Sequence, residues 1–222
     1  MRTSSVAEPF PLYSIGENIA NSVLHGIGTL WAIAGLVLLN IKIRSLSGRN
    51  LENSLDITAA LLFTATMIGM FLISTLYHSI QHYGAKRVLR ILDHSMVYVF
   101  IAGTYTPFCL SALGGVLGWS IFFIEWALAL LGITLYCLNF KALKKVEVAA
   151  YILMGWVIIV GLVPLFHAMP MISFILLFAG GIVYSLGTVW YRKKHLRKTH
   201  AIWHCFVLAG ALCHWLAVWF LN

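Results

Sequence analysis

The sequence predicts an all-α, polytopic membrane protein: a seven-transmembrane-helix bundle with the N-terminus cytoplasmic and the C-terminus outside. Three observations predict it. Hydrophobic residues make up 61% of the 222-residue chain and charged residues only 10%, with a mean hydropathy of +0.90. A soluble domain carries roughly 25% charged residues. Seven apolar runs are each long enough to cross about 30 Å of hydrocarbon at about 1.5 Å per helical residue. Finally, the basic residues gather in the short connections between these runs, as topology signals do.

The runs fall at Glu17–Ile41, Leu55–Ile80, Val88–Leu110, Gly114–Cys137, Val146–Phe166, Met171–Tyr191 and His200–Leu221. Helices are the expected solution, because every backbone polar group in hydrocarbon must be satisfied within its own segment. The first sixteen residues carry Pro9 and Pro11 and have no apolar core of their own, so they read as a short cytoplasmic tail and not a cleavable signal. Residues 17–222 then form one membrane domain. Gly103-Thr-Tyr-Thr-Pro107 should break the third helix in its outer half, since a proline removes one backbone hydrogen bond. Cys109, Cys137, Cys205 and Cys213 all lie within or at the ends of the runs without CxxC spacing, and read as small core residues.

Orientation follows from the cations. Arg2, Lys86, Arg87, Arg90, Lys141, Lys144, Lys145, Arg192, Lys193, Lys194, Arg197 and Lys198 fall on one side, leaving Lys42, Arg44 and Arg49 on the other. The excess marks the cytoplasmic side. The formal net charge of +8 is therefore accounted for by topology. No domain remains to bind nucleic acid.

The chemistry-bearing stretch is His200-Ala-Ile-Trp-His204. Two histidines four apart on a helix lie about 40° apart around the axis and roughly 6 Å apart along it, so both imidazoles can serve one metal ion. Depth brings more partners. His78 ends the second run with Ser74 one turn deeper, and Asp93 enters the membrane from the same side on the third. Three imidazoles completed by a carboxylate or water suit zinc. The natural assignment is His78, His200 and His204 as ligands, with Asp93 either binding the metal or holding a water as general base, and Ser74 placed to hydrogen-bond. His82 is the substitute for His78. The bland alternative is that these groups hydrogen-bond helix to helix. Glu17, Asn21 and His25 add a polar stripe at i, i+4 and i+8 on the first run. His214 could line a pocket deeper in the bilayer, His167 belongs to the outer side, and His195 to the basic inner loop. His94 should point about 100° away from Asp93. Glu125 falls near mid-span, where a charge is costly; its role stays open.

Several stretches together resemble the hemolysin III family, the bacterial branch of the progestin and adipoQ receptor superfamily. They are Glu17-Asn-Ile-Ala-Asn-Ser-Val-Leu-His25-Gly-Ile-Gly, Ser74-Thr-Leu-Tyr-His78-Ser, Leu92-Asp93-His94-Ser, Ala102-Gly-Thr-Tyr-Thr-Pro-Phe108 and His200-Ala-Ile-Trp-His204. The resemblance covers nearly the whole chain. It implies seven helices with the N-terminus inside, zinc at the positions of His78, His200 and His204, and Asp93 and Ser74 beside it. Since the superfamily includes alkaline ceramidases, it also implies hydrolysis of a lipid amide. Glu125 departs from the apolar character expected there. The expected function is thus a zinc-dependent hydrolase of a lipid amide or ester in the bacterial inner membrane, with membrane lipids as partners. The rivals are a non-enzymatic, zinc-stabilised protein of lipid or membrane-energetics homeostasis and a membrane-permeabilising protein. The last has the least support, because an ion path should show polar residues at all depths.

Overall fold

The computed structural model describes residues 13–46, 51–138, 141–193 and 198–221. Arg2, Pro9, Pro11, Arg49, Lys194, His195 and Arg197 lie outside them, as does most of the expected tail. Among the described residues every regular element is helical, and seven helices are long and apolar enough to cross a membrane. They are α1 (Ile15–Leu46), α2 (Leu51–Ser79), α3 (Tyr83–Pro107), α4 (Gly115–Cys137), the pair α5 (Lys141–Trp156) and α6 (Leu162–Ala168) acting as one span, α7 (Met171–Arg192) and α8 (Thr199–Leu221).

The surface shows what solvent the chain is built for. Ile15, Ile19, Val23, Ile27 and Leu30 are exposed along α1, and Phe123, Ile124, Leu130 and Leu131 along α4. In water such a belt would drive aggregation; in lipid it costs nothing. Burial instead follows close backbone approach. A Cβ added at Gly35 would meet the Trp215 indole nitrogen at 2.5 Å, and one at Gly103 would meet Thr66 Oγ1 at 2.0 Å. Small residues at such crossings let dispersion and hydrogen bonding hold helices together where no hydrophobic force does.

Consecutive spans pack as neighbours, and α8 returns to lie against α1, so the ring closes. Lys42 near the end of α1 seals that contact. Its ammonium donates to the Trp219 carbonyl and stands 4.5 Å over the Trp219 ring. At the opposite end Ser14 and Glu17 form a capping box: Glu17 N–H donates to Ser14 Oγ at 3.2 Å, and Ser14 N–H to Glu17 Oε2 at 3.1 Å. α1 therefore starts at Ile15, two residues before the expected boundary. Between α5 and α7 packing is thin, and a cavity lies inside that wall.

One expectation is met and one corrected. The α-helical part of the third span ends at Pro107, as the Gly103–Pro107 stretch suggested, and the span continues as a π-helical turn, Phe108–Leu113. Local back-bonding supports the stretch before it, with Thr104 Oγ1 donating to Phe100 O at 2.8 Å and Thr106 Oγ1 to Ala102 O at 3.2 Å. A second irregularity was not foreseen, a 3-10 stretch at Val157–Gly161 that splits α5 from α6. Of the cysteines only Cys109 is a core residue; Cys137 and Cys205 are exposed and Cys213 half-buried. A thiol is apolar enough for a lipid-facing surface, so presence in an apolar run does not fix burial.

Candidate metal centre

His78 stands at the end of α2, and His200 and His204 open α8. One ring nitrogen from each lies within 4.8 Å of the others, a buried arrangement that could hold a metal ion. The Nε2 atoms of His78 and His204 are 3.2 Å apart. Two nitrogens bound tetrahedrally to one zinc at about 2.0–2.1 Å stand about 3.3 Å from each other, so this edge has the required length.

The other side of His78 fixes which nitrogen is available. Its Nδ1 lies 3.3 Å from Asn18 Oδ1 and 3.4 Å from Asn21 Nδ2. Nδ1 can donate to the Asn18 amide oxygen or accept from the Asn21 amide nitrogen, and the first of these leaves the Nε2 lone pair facing His204, the tautomer a metal at Nε2 requires. Both asparagines come from α1, one turn apart on one face. Asn21 belongs to the stripe seen in the sequence; Asn18 was missed, because adjacency to a stripe is no signal. Glu17, the first member of that stripe, accepts from the Lys198 backbone N–H and so joins the start of α1 to the residue before α8. It anchors the turn carrying His200.

His25 comes closer than the stripe suggested. It is buried, and its ring sits edge-on to His204 with centroids 3.8 Å apart, yet it is not one of the three converging imidazoles. Tyr13 covers the centre from outside the span, stacked on His200 at 4.7 Å and 25°. Burial foremost, then the neighbouring Tyr77 and Asp93, pushes its phenol above the usual range, with Arg90 opposing.

Asp93 is not within the converging group. Asp93 and Ser74 both line one cavity with His200 and His204. His82 is no ligand candidate: it is exposed, and its Nδ1 accepts from Ala85 N–H at 3.3 Å as the cap of α3.

The cavity, about 180 Å³, extends from this layer into the bilayer as far as Tyr105, Phe108 and Ile158. Its walls are mainly apolar and aromatic. His214 lines it deeper down, as expected, with Nε2 donating to Leu177 O at 3.0 Å. His94 also lines it, paired through Nδ1 with Glu147 at 2.7 Å; Glu147 in turn accepts from the Tyr151 hydroxyl at 2.6 Å. Sequence reasoning missed this pair, since 53 residues separate its members. His167 is exposed near the end of α6.

Comparison with known proteins agrees with this architecture. The chain is 42% identical over 209 residues to the Hemolysin-3 homolog of Bacillus subtilis (strain 168), covering 94% of this chain and 96% of that one. It is 40% identical over 206 residues to Hemolysin-3 of Bacillus cereus, with 93% and 92% covered. The human Monocyte to macrophage differentiation factor is similar at 27% identity over 212 residues, 91% of this chain and 83% of that one. The family model described as Haemolysin-III related matches residues 13–215, from the tyrosine that covers the centre to the last span, and the chain belongs to that family as a multi-pass integral membrane protein.

Proposed function

We propose that this protein is an intramembrane zinc-dependent hydrolase of a lipid amide or ester, with His78, His200 and His204 holding the metal. One observation carries the reading: a cluster of imidazole nitrogens opens onto an apolar cavity that also receives a carboxylate and a hydroxyl. When bound, zinc supplies a Lewis acid and lowers the pKa of a coordinated water toward about 7. The chain's own residues do the rest. Asn18 holds His78 in the tautomer that presents Nε2. Asp93 accepts a proton from the attacking water, and Ser74 donates a hydrogen bond where negative charge develops on the carbonyl oxygen. The apolar walls between Phe100 and Leu177 hold an acyl chain and exclude water from the reacting bond. On the positive-inside reading the centre lies in the cytoplasmic leaflet of the bacterial inner membrane, and the thin α5–α7 packing gives a lipid chain a sideways entrance.

The test is turnover in a screen of lipid amides and esters by the zinc-loaded protein and its Asp93→Asn variant. Hydrolysis that disappears in the variant while zinc stays bound supports the reading. Retained hydrolysis sinks the role of Asp93.

A second reading rests on the cluster's reach across α1, α2 and α8: zinc as a cross-link in a non-enzymatic protein of lipid or membrane-energetics homeostasis. It expects metal removal to lower the melting temperature of a protein that hydrolyses nothing in the same screen.

A further inference from the structure

A second polar centre lies far from the histidines, at Glu125. The inward stripe of α4 is Gly118, Ile121, Glu125, Ala129 and Gly132, a row of small or apolar residues interrupted once by a carboxyl. Glu125 is 0% exposed, and neither oxygen has a hydrogen-bond partner among the described residues. Ten residues into the helix, it stands about 15 Å from the start of α4, near the middle of the span. An ionised carboxylate held there without a hydrogen-bond partner among the described residues is costly.

The surroundings are built in an uncommon way. Two spans lose regular helix beside this residue, the third in the π turn Phe108–Leu113 and the fifth in the 3-10 stretch Val157–Gly161. α4 packs against the end of α3 and the π turn, which carry the titratable side chains Tyr105 and Cys109. The Tyr105 hydroxyl is already committed, donating to Met154 O at 2.7 Å and accepting from Ile158 N–H at 2.8 Å across the break in the fifth span. α4 approaches the π turn so closely that a Cβ at Gly118 would stand 2.1 Å from the Cys109 carbonyl oxygen. Broken helices around a mid-membrane carboxyl are the arrangement in which membrane proteins bind protons and small cations. Tyr105, Phe108 and Ile158 line the long cavity, and Glu125 lies on the buried face of the helix that packs against this part of the third span.

We propose that Glu125 is an intramembrane proton-binding site that exchanges its proton with the cavity. A hydronium ion in the cavity gives one proton to the carboxylate: one O–H bond breaks on the donor, one forms on Glu125, a water molecule is left behind and the negative charge of the site is removed. The site is separate from the histidine centre and does not depend on metal or hydrolysis.

Infrared spectroscopy of the purified full chain in lipid tests this. The expected result is a protonated-carboxyl C=O band that shifts on 13C-glutamate labelling, which excludes Asp93. It should vanish in Glu125→Gln and lose its sensitivity to that label in Glu125→Asp, which gives the assignment a second route should one variant misfold. On transfer to D2O the band should move down within minutes. Absence of the band, meaning an ionised or cation-bound carboxylate, overturns the proposal. So does a band that resists deuteration, which marks a sealed structural acid.

Discussion

The Nε2 atoms of His78 and His204 face one another at 3.2 Å across 126 residues of chain, buried on both sides. When His78 Nδ1 donates to Asn18, its Nε2 meets His204 with a lone pair that needs a cation or a proton between the rings. Metal content decides which. We expect about one zinc per chain in protein purified in detergent, lost in His78→Ala, His200→Ala and His204→Ala, because three ligands cannot be reduced to two without opening the site. A folded wild-type protein without zinc would leave an N–H···N hydrogen bond as the whole content of the cluster.

Asn18 acts on the metal only through His78. Removing such an outer partner typically costs 10–100-fold in metal affinity. Asn18→Leu should therefore weaken zinc binding by about that factor in a chelator competition. Full stoichiometry should return at saturating metal, which separates Asn18 from a ligand. An unchanged competition curve would reduce Asn18 to a packing residue.

Gly103 is where α3 meets α2 at closest range, with Thr66 Oγ1 2.0 Å from the position of an added Cβ and Thr66 Cβ at 2.8 Å. Gly103→Ala should destabilise the bundle by about 1–3 kcal/mol, the usual cost of overpacking. Gly16→Ala, with nothing within 4 Å, is the matched control and should leave the melting temperature unchanged or raised. Equal melting temperatures would show that Thr66 can move aside.

Tyr13 predicts an alkaline effect whose sign follows from its raised phenol. The unfolded chain releases this proton near the ordinary value of about 10, whereas the folded chain keeps it to higher pH. Between those limits the folded state binds more protons, so stability falls as pH rises. The fall should be smaller in Tyr13→Phe, measured by thermal unfolding across pH 9 to about 11. A variant with the wild-type slope would assign the effect to other groups.

How much of this was legible in the sequence depends on the range of the interaction involved. HxxxH declares itself because four residues of helix return a side chain to one face. His78 and Asp93 could be matched to it by depth, since each span fixes height along the membrane normal at about 1.5 Å per residue. Rotation about that normal is another matter. Nothing local says that α1 turns Asn18 toward His78, that His25 comes to 3.8 Å from His204, or that His94 meets Glu147. The helix breaks show the same division. The Pro107 region was flagged, but the π turn falls after it, and the 3-10 stretch in the fifth span carries no proline or polar marker at Val157–Val160.

The sequence by itself determined the class of solvent, the seven spans and the HxxxH pair, because hydropathy and helical period are properties of contiguous residues. Tertiary structure alone decided which faces meet. It separated the three converging imidazoles from the nearby His25 and left Asp93 outside that group, on the wall of the cavity that His200 and His204 also line. It also left Glu125 enclosed on the inward stripe of α4 without a hydrogen-bond partner among the described residues. The physical reason is that lipid solvates every apolar face equally well. Helix rotation in the bundle is therefore set by close approach at positions such as Gly35 and Gly103 and by a few interhelical polar contacts.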